Sequence, residues 1–329
     1  MMDSFLPNPR ADVVWRRLKS EDAPALHDLI IQVEEADNFL YRTSLPEVEE
    51  MLASDRHWDC VGAFALEGEE AGHLVCYGYA GILRSEKREC WCEGGVLPAY
   101  RNRKLGQDTL KWQTARARQL MQLTYPDEEG QISYVVEASK LDVQEQLEHL
   151  GYQWRESSVE MRRSLAEIPE MPDLGPYIQI VEWSEEWSEL VRRALNQAAR
   201  QGLAVTEQSA EEWSASHSKN FAPEWSFIAL DRRSDRPQVL GFVQVGRYEQ
   251  DWQALGWKEG YIDMAVVLRS SSQPVLTALL IYSMQAQAAD GMACTGIGMD
   301  PDRDPITFEL YQRIGFKPHS WSRVFAQPC

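Results

Sequence analysis

The order of strand-like and helix-like segments occurs twice along this chain, and that repeat constrains the fold more than any other feature. Each half begins with a short strand and an acidic helix, continues through several strands to a long helix, and closes with a strand, a helix and a strand. Val96 matches Val266 and Gly151 matches Gly315, so the offset between the halves is nearly the same at both places. The repeat therefore predicts two copies of one α/β domain.

The segment AEIPEMPDLGP, residues 166–176, separates the two halves. It contains three prolines and one glycine, and proline fixes the backbone and removes a hydrogen-bond donor. We therefore predict a linker at 166–176, an N-terminal domain over 1–165 and a C-terminal domain over 177–329. Each domain is expected to have a mixed, mostly antiparallel sheet flanked by helices.

The charge balance narrows the class of partner. Among 329 residues there are 33 Lys and Arg but 51 Asp and Glu, a net charge of −18. Nucleic-acid binding requires a surplus of basic residues, so no nucleic-acid partner is expected. The same charge favours a cationic substrate only as a long-range bias, and it also serves solubility.

Localisation and metal content are predicted from what the sequence lacks. No apolar run approaches the roughly 18 residues that a membrane span needs, and the first residues do not resemble a secretory signal. The six cysteines are scattered through apolar segments, as reduced thiols of a cytoplasmic protein would be. Cys90 and Cys92 lie on one face of a strand without a companion pair, so no metal site is expected.

A basic cluster stands where a strand meets a helix, in VLPAYRNRKLG at residues 96–106. Open α/β sheets bind ligands at this kind of junction. The first amides of a helix have no intrahelical acceptor, and the helix dipole favours anions there. Arg101, Arg103 and Lys104 can add charge, so the cluster predicts a phosphate site.

This loop and a second stretch resemble the GNAT superfamily of acetyl-CoA-dependent N-acetyltransferases. The first resembles the family pattern in which Arg/Gln-x-x-Gly-x-Gly wraps the CoA pyrophosphate. The second, MDPDRDPITFELYQRIGF at residues 299–316, is similar to a C-terminal signature that ends in Leu-Tyr-x-x-x-Gly-Phe. The order of elements agrees in both halves, and the tandem arrangement is similar to that of two-domain members such as mycothiol synthase.

The resemblance implies an acetyl-CoA site in the N-terminal half. Asn102 and Lys104 stand where the family usually has glycine. The corresponding loop of the C-terminal half, residues 269–273, contains no glycine, so that half is not expected to hold CoA in the usual way. The residues that the resemblance assigns to the cofactor are Gly95, Val96, Arg101, Asn102, Arg103, Lys104, Leu105, Gly106 and Gln107.

The resemblance also implies catalytic roles. A backbone amide near Gly95 and Val96 would meet the thioester carbonyl, and the adjacent glycines fit a bulge or a close backbone approach. Glu93 is the predicted general base, with Glu89 as the alternative; Asp263 and Glu259 hold similar places in the second half. Tyr311 occupies the position of the tyrosine that protonates the CoA sulfur in many family members. Leu147 stands there in the first half and cannot donate.

The predicted function is acetyl-CoA-dependent transfer of an acetyl group to an amine of a small molecule or peptide, by direct attack on the thioester. One alternative is a catalytically degenerate CoA-binding or regulatory scaffold. Another is a mycothiol-synthase-like acetyltransferase, which differs in its acceptor. The protein is expected to be a monomer or a homodimer.

Overall fold

A computed structural model describes residues 6–53, 57–83, 88–126, 128–203, 205–217, 220–268 and 273–329. The chain forms two compact units. Unit 1 comprises Met1–Glu156 and Ser322–Cys329, and unit 2 comprises Ser157–Trp321. Both have the α/β composition that the repeat predicts.

The first half of the chain carries six strands and four α-helices among its described residues. In chain order they are β1 Val13–Arg17, α1 Ala23–Ala36, α2 Leu45–Met51, β2 Trp58–Ala65, β3 Leu74–Leu83, β4 Glu89–Val96, α3 Leu105–Thr124, β5 Gln131–Glu137, α4 Leu141–His149 and β6 Gln153–Ser164.

The second half repeats this order with one additional short helix among its described residues. Its elements are β7 Ile178–Glu182, α5 Glu185–Arg200, α6 Ala210–Ser216, β8 Phe227–Asp231, β9 Gln238–Gly246, α7 Trp252–Leu255, β10 Glu259–Val267, α8 Gln273–Ala289, β11 Cys294–Met299, α9 Pro305–Arg313 and β12 Lys317–Pro328.

The last strand of each repeat pairs outside its own half of the sequence. In unit 1 the strand order is β1-β2-β3-β4-β5-β12, and β12 runs antiparallel to β5, with Phe325 opposite Tyr134. In unit 2 the order is β6-β11-β10-β9-β8-β7, and β6 runs antiparallel to β11, with Met161 opposite Ile297. The two units thus differ from the predicted domains 1–165 and 177–329. The last strand of the first half, β6, pairs with β11 of the second half, and the last strand of the second half, β12, pairs with β5 of the first half. The predicted linker 166–176 lies within unit 2.

Two strands part from each other in both units. In unit 1 the parallel pairing of β4 with β5 runs from Glu89 opposite Gln131 to Cys92 opposite Tyr134 and stops there. In unit 2 the parallel pairing of β10 with β11 stops after Ile262 opposite Ile297. The strand ends beyond these rows therefore leave an opening on one edge of β4 and of β10.

The helix α3 packs closely on strands β3 and β4 of unit 1, beside this opening. Its buried face includes Leu105, Trp112 and Ala117, which are at most 1% exposed. A Cβ atom on Gly78 would lie 2.3 Å from the Cγ2 atom of Thr109, so only glycine permits this approach. The start of α3 is thereby held against the end of β4.

Candidate functional site

The loop between β4 and α3 has the backbone conformation of a glycine-containing loop without glycine at the key positions. Asn102 has φ 62° and Lys104 has φ 67°, both in the left-handed region. This region costs an ordinary residue roughly 1–2 kcal/mol, whereas glycine and, to a degree, asparagine adopt it readily. The two residues that replace the expected glycines therefore retain the loop shape that glycine would give.

The helix α3 begins at Leu105 directly after this loop. Lys104 is its N-cap and makes no side-chain cap hydrogen bond. The first-turn amides of Leu105, Gly106 and Gln107 have no intrahelical acceptor. A Cβ atom on Gly106 would meet only the Cγ2 atom of Val96, at 3.7 Å, so the side of the turn at Gly106 is uncrowded. Such a helix start suits an anion.

Arg101 fastens this loop to the rest of unit 1. Its Nη1 and Nη2 atoms donate to the two carboxylate oxygens of Asp37 at 2.8 and 3.0 Å, and its Nε atom donates to the Val96 carbonyl at 3.2 Å. The Lys140 ammonium also reaches Asp37, at 2.5 Å. Burial acts to raise the pKa of Asp37, but the hydrogen bonds from Lys140 and Arg101 outweigh it and hold that pKa below its usual value. Arg101 thus has carboxylate and carbonyl partners within the protein.

Arg103 lies on the surface of the same loop. Its guanidinium stacks 4.3 Å from the centre of the Tyr100 ring, and its Nη2 atom donates to the Ala99 carbonyl at 3.1 Å. The loop therefore presents backbone amides at the start of α3, with Arg103 and Lys104 exposed beside them.

Two backbone amides of β4 face the opening between β4 and β5. The Leu97 amide donates to the Val75 carbonyl at 2.9 Å, and the β3–β4 register then runs without interruption through Gly95 opposite Tyr77. Antiparallel pairs alternate between bonded and non-bonded, so the amides of Gly94 and Val96 point away from β3. No bulge occurs at Gly94 and Gly95, but a Cβ atom on Gly94 would lie 2.8 Å from the Tyr77 carbonyl oxygen. Of the two expected features, the close approach is the one present.

Glu93 is the first residue of β4 beyond the rows that pair with β5, and the residue is accessible at the surface. The Tyr77 hydroxyl, itself 4% exposed at the residue level, donates to the Glu93 Oε1 atom at 2.9 Å. Desolvation by the surrounding protein raises the pKa of Glu93; the bond from Tyr77 opposes this rise, and the nearby Glu34 carboxylate adds to it. A carboxylate with a raised pKa is a stronger base, as proton abstraction near neutral pH requires.

Glu89, the alternative base, has a structural position. It is 4% exposed and accepts hydrogen bonds from the Gln131 amide at 2.7 Å and from the Ser133 hydroxyl. Both partners belong to β5, at the end of β4 where the two strands are still paired. Of the two candidates, only Glu93 lies at the opening.

We expect Tyr77→Phe to raise the pKa of Glu93 further, because it removes the hydrogen bond that stabilises the carboxylate. The measurement is a ¹³C NMR titration of the glutamate carboxyl groups, with Glu93→Gln to assign the resonance. A base must be ionised, so the acidic limb of an activity–pH profile should move to higher pH in the same variant. An unchanged Glu93 titration would contradict this account of the pair.

Unit 2 carries the same carboxylate–tyrosine arrangement. Asp263 is the counterpart of Glu93 in the repeat, and the Tyr248 hydroxyl donates to its Oδ1 atom at 2.9 Å. The β9–β10 register shifts between Ile262 and Met264, so a bulge sets Asp263 at the opening. Burial raises the pKa of Asp263 to about 6. Glu259, the other position singled out in this half, is 5% exposed and pairs with Arg162 at 2.9 Å.

Tyr311 lies in the core of unit 2. It is 3% exposed, and its ring centre lies 5.6 Å from that of Phe316. Burial raises its pKa above the usual value, so the hydroxyl remains protonated. Leu147, at the matching position of unit 1, is fully buried. Of the loop of this half that corresponds to 101–107, residues 269–272 lie outside the described part of the chain.

Three solved structures resemble this chain over nearly its whole length. A GCN5-related N-acetyltransferase from Sphaerobacter thermophilus matches 98% of this chain and 97% of its own, with 18% identity and a TM-score of 0.75. A tandem GNAT protein from the clavulanic acid biosynthesis pathway matches 96% and 98%, with 13% identity and a TM-score of 0.65. A putative acetyltransferase from Pyrococcus horikoshii matches 100% and 94%, with 14% identity and a TM-score of 0.53. The chain has the tandem GNAT fold.

The tandem GNAT fold confirms the predicted fold class. Neither a family model nor a curated protein matches the sequence, so the likeness rests on the structures alone. The specific similarity to mycothiol synthase stays a prediction, as do the roles assigned to individual residues.

Beside the α3 loop, unit 1 contains a cavity of about 290 Å³. It is lined by Gln107, Leu110, Lys111, Gln146, His149 and Leu150. Gln107 belongs to the first turn of α3, so the cavity lies beside the start of this helix. Two apolar residues of unit 1 are exposed on the elements before and at the start of α4. Val135 on β5 is 56% exposed, and Leu141, the first residue of α4, is 67% exposed.

Two residues that hold this candidate site together were missed by sequence reasoning. Asp37 lies far from Arg101 in the sequence, Tyr77 lies on a different strand from Glu93, and neither belongs to a recognisable motif. The paired glycines Gly78 and Gly94 were the one available signal, because glycine within a strand indicates a close backbone approach.

Over the described ranges, no helix combines the length and apolarity that crossing a membrane would require. Within the same residues, no three His, Cys, Asp or Glu side chains are arranged to hold a metal ion.

Proposed function

We propose that unit 1 is an acetyl-CoA-dependent N-acetyltransferase. The observation that carries the proposal is the placement, around one opening in the sheet, of a left-handed phosphate-type loop, unpaired strand amides and a carboxylate with a raised pKa. Acetyl-CoA would supply an activated acetyl thioester. The tandem GNAT fold supports only the general reaction class, because a fold alone does not define an activity.

The residues of unit 1 fit the donor as follows. The amides of Leu105, Gly106 and Gln107 bind the pyrophosphate, aided by the positive end of the α3 dipole. Lys104 and Arg103 add charge at its rim, in agreement with the expectation for the loop. Arg101 acts indirectly, by holding the loop on Asp37. The adjoining cavity provides room for further parts of the donor.

Glu93 accepts the proton of the attacking amine, directly or through one water molecule. The amine nitrogen bonds to the thioester carbon, the carbon–sulfur bond breaks, and its electron pair leaves with the sulfur. The Val96 amide, which points into the opening, donates to the carbonyl oxygen as negative charge develops on it. The reaction therefore needs no covalent intermediate on the protein.

The absence of a tyrosine at position 147 is compatible with this chemistry. A thiol has a pKa near 8.5, so a thiolate is a stable leaving group close to neutral pH without a general acid. Leu147 therefore does not exclude the reaction in unit 1. Tyr311 could serve as an acid only in unit 2, where its proton is held firmly.

The acceptor is proposed to be an amine of a small molecule or a peptide. The negative charge of the whole chain raises the local concentration of cationic amines. At the opening itself, the Glu93 carboxylate interacts electrostatically with the nearby, buried Glu34 carboxylate. This surface suits an ammonium group better than a carboxylate.

Binding of acetyl-CoA to Lys104 variants tests the proposal, because it separates loop shape from charge. Lys104→Gly removes the ammonium but favours the left-handed backbone, so we expect it to retain binding within a few-fold. Lys104→Val forces a β-branched residue into that conformation, and about 1–2 kcal/mol of strain relative to glycine should weaken binding about 5- to 30-fold compared with Lys104→Gly. Isothermal titration calorimetry measures both against the unaltered protein.

Three results would bear on the proposal in different ways. Absence of acetyl-CoA binding by the unaltered protein would overturn it. Equally large losses in Lys104→Gly and Lys104→Val would assign the phosphate to the ammonium instead of the backbone. Binding without thiol release in the presence of a panel of primary amines would favour the CoA-binding, non-catalytic alternative.

A further inference from the structure

The side chain of Gln113, on α3, contacts three strands where β4 parts from β5. It is 1% exposed. Its Nε2 atom donates to the carbonyl oxygens of Tyr79 on β3 and Glu93 on β4, at 2.9 and 2.6 Å. Its Oε1 atom accepts from the Tyr134 hydroxyl of β5 at 3.3 Å. Tyr134 is opposite Cys92, the last paired residue of β4, so these bonds lie at the branch point itself.

Two glycines admit this side chain to the sheet. Gly78 and Gly94 lie directly opposite each other on β3 and β4. A Cβ atom on Gly78 would lie 3.4 Å from the Gln113 Cγ and Cδ atoms, and one on Gly94 would lie 3.4 Å from Nε2. A Cβ atom on Gly78 would also lie 2.3 Å from the Cγ2 atom of Thr109 on α3, so a larger residue there would push α3 away from the strands.

We infer that Gln113 is a positioning residue for the donor site, an inference that rests on the proposed function of unit 1. The backbone hydrogen bonds of an α-helix keep its successive turns at a fixed rise, so two turns move as one stiff piece. Fixing Gln113 on β3, β4 and β5 therefore fixes where the first-turn amides of α3 lie relative to Glu93 and the Val96 amide. The amides that bind the pyrophosphate are thereby held at a fixed distance from Glu93 and the Val96 amide.

Unit 2 has no equivalent of this contact among its described residues. The spacing that relates Glu93 to Asp263 places Ser283 at the position of Gln113, and serine is too short to reach several strands. A buried glutamine, Gln287, lies one turn further along α8. Its Nε2 atom donates to the Ser283 hydroxyl at 2.9 Å, and its Oε1 atom has no hydrogen-bond partner in the described structure. The inference therefore predicts that only unit 1 holds its helix in register for the donor.

The test compares Gln113→Met with Gln287→Met. Both residues are buried glutamines on corresponding helices, and methionine preserves their shape while removing the hydrogen bonds. We expect both variants to lower the melting temperature. Only Gln113→Met should weaken acetyl-CoA binding in calorimetry, by about tenfold or more, because a small displacement of binding groups is costly.

Gln113→Glu supplies a readout that a purely structural role would not move. A buried carboxylic acid can donate one hydrogen bond when protonated and none when ionised. Acetyl-CoA affinity of Gln113→Glu should therefore rise as the pH falls, beyond any change in the unaltered protein. This variant also serves if Gln113→Met does not fold.

The outcomes are distinguishable. Equal affinities of Gln113→Met, Gln287→Met and the unaltered protein would overturn the positioning role while leaving the proposed function intact. No acetyl-CoA binding by the unaltered protein would overturn both. A loss of affinity in Gln287→Met alone would place the donor site in unit 2 and contradict the inference.

Discussion

Glu93→Gln should lower kcat for acetyl transfer to an amine by about 10²–10⁴-fold, the usual contribution of a general base. The affinity for acetyl-CoA should remain within a few-fold of the original value. Glutamine has the shape of glutamate and still accepts a hydrogen bond from Tyr77, but its amide cannot take a proton from the amine. The loss should therefore appear in the chemical step, measured by thiol release with a primary amine that the protein accepts.

Asp263→Asn provides the matched control for Glu93→Gln. It makes the same kind of change to the corresponding carboxylate–tyrosine pair of unit 2. If unit 1 performs the reaction, the asparagine variant retains kcat within a few-fold. Loss of activity in Asp263→Asn with none in Glu93→Gln would move the chemistry to unit 2, where Tyr311 is available as an acid.

Asp263→Asn should also change how the stability of the protein depends on pH. Burial raises the pKa of Asp263 to about 6, above its value in an unfolded chain, so its ionisation opposes folding. That opposition is absent below the unfolded pKa and fully present above about pH 6. Asp263→Asn removes it, so the gain in stability relative to the original protein should increase as the pH rises through that range.

The fold class followed from the repeat, whereas the pairing of the final strands did not. The segments that form β6 and β12 occupy equivalent places in the two repeats, and both end a strand–helix–strand unit. Local pattern gives each a strand but cannot name its neighbour, because pairing depends on the whole sheet. The predicted boundary at residue 165 therefore reflects the repeat rather than the division into compact units.

The site was predictable to the extent that its parts are local in sequence. The loop at 101–107 is singled out as a basic cluster at a strand–helix junction, Glu93 is proposed from the family resemblance, and asparagine at 102 is compatible with a left-handed backbone. The pairing of Arg101 with Asp37 could not be predicted, because a basic residue beside a phosphate-type loop fits phosphate binding equally well. Distant contacts of this kind decide whether an arginine binds the ligand or holds the loop that does.

Helix α3, which follows the loop at 101–104, also depends on a buried ion cluster. Asp59 on β2, 5% exposed, lies 2.7 Å from the Nε atom of Arg116 on α3 and 3.0 Å from the Nη2 atom of Arg17 on β1. Arg116 is itself 7% exposed. We expect Asp59→Ala to destabilise the protein by about 3–5 kcal/mol, because it leaves a guanidinium buried without its counterion. Urea denaturation followed by tryptophan fluorescence measures the change.

Glu189→Ala is the control that tests whether the expected loss of stability arises from the burial of the ion cluster. Glu189 also bridges two arginines, Arg192 at 2.8 Å and Arg193 at 2.7 Å, but on an exposed helix surface. Exposed pairs of this kind contribute little, so its midpoint of denaturation should not move measurably. The double variant Asp59→Leu with Arg116→Met should recover most of the loss, since apolar replacement of a buried pair is commonly close to neutral. If Asp59→Ala is no more destabilising than Glu189→Ala, the cluster does not secure α3, and the placement of the donor loop must depend on Gln113 and the Asp37 contacts instead.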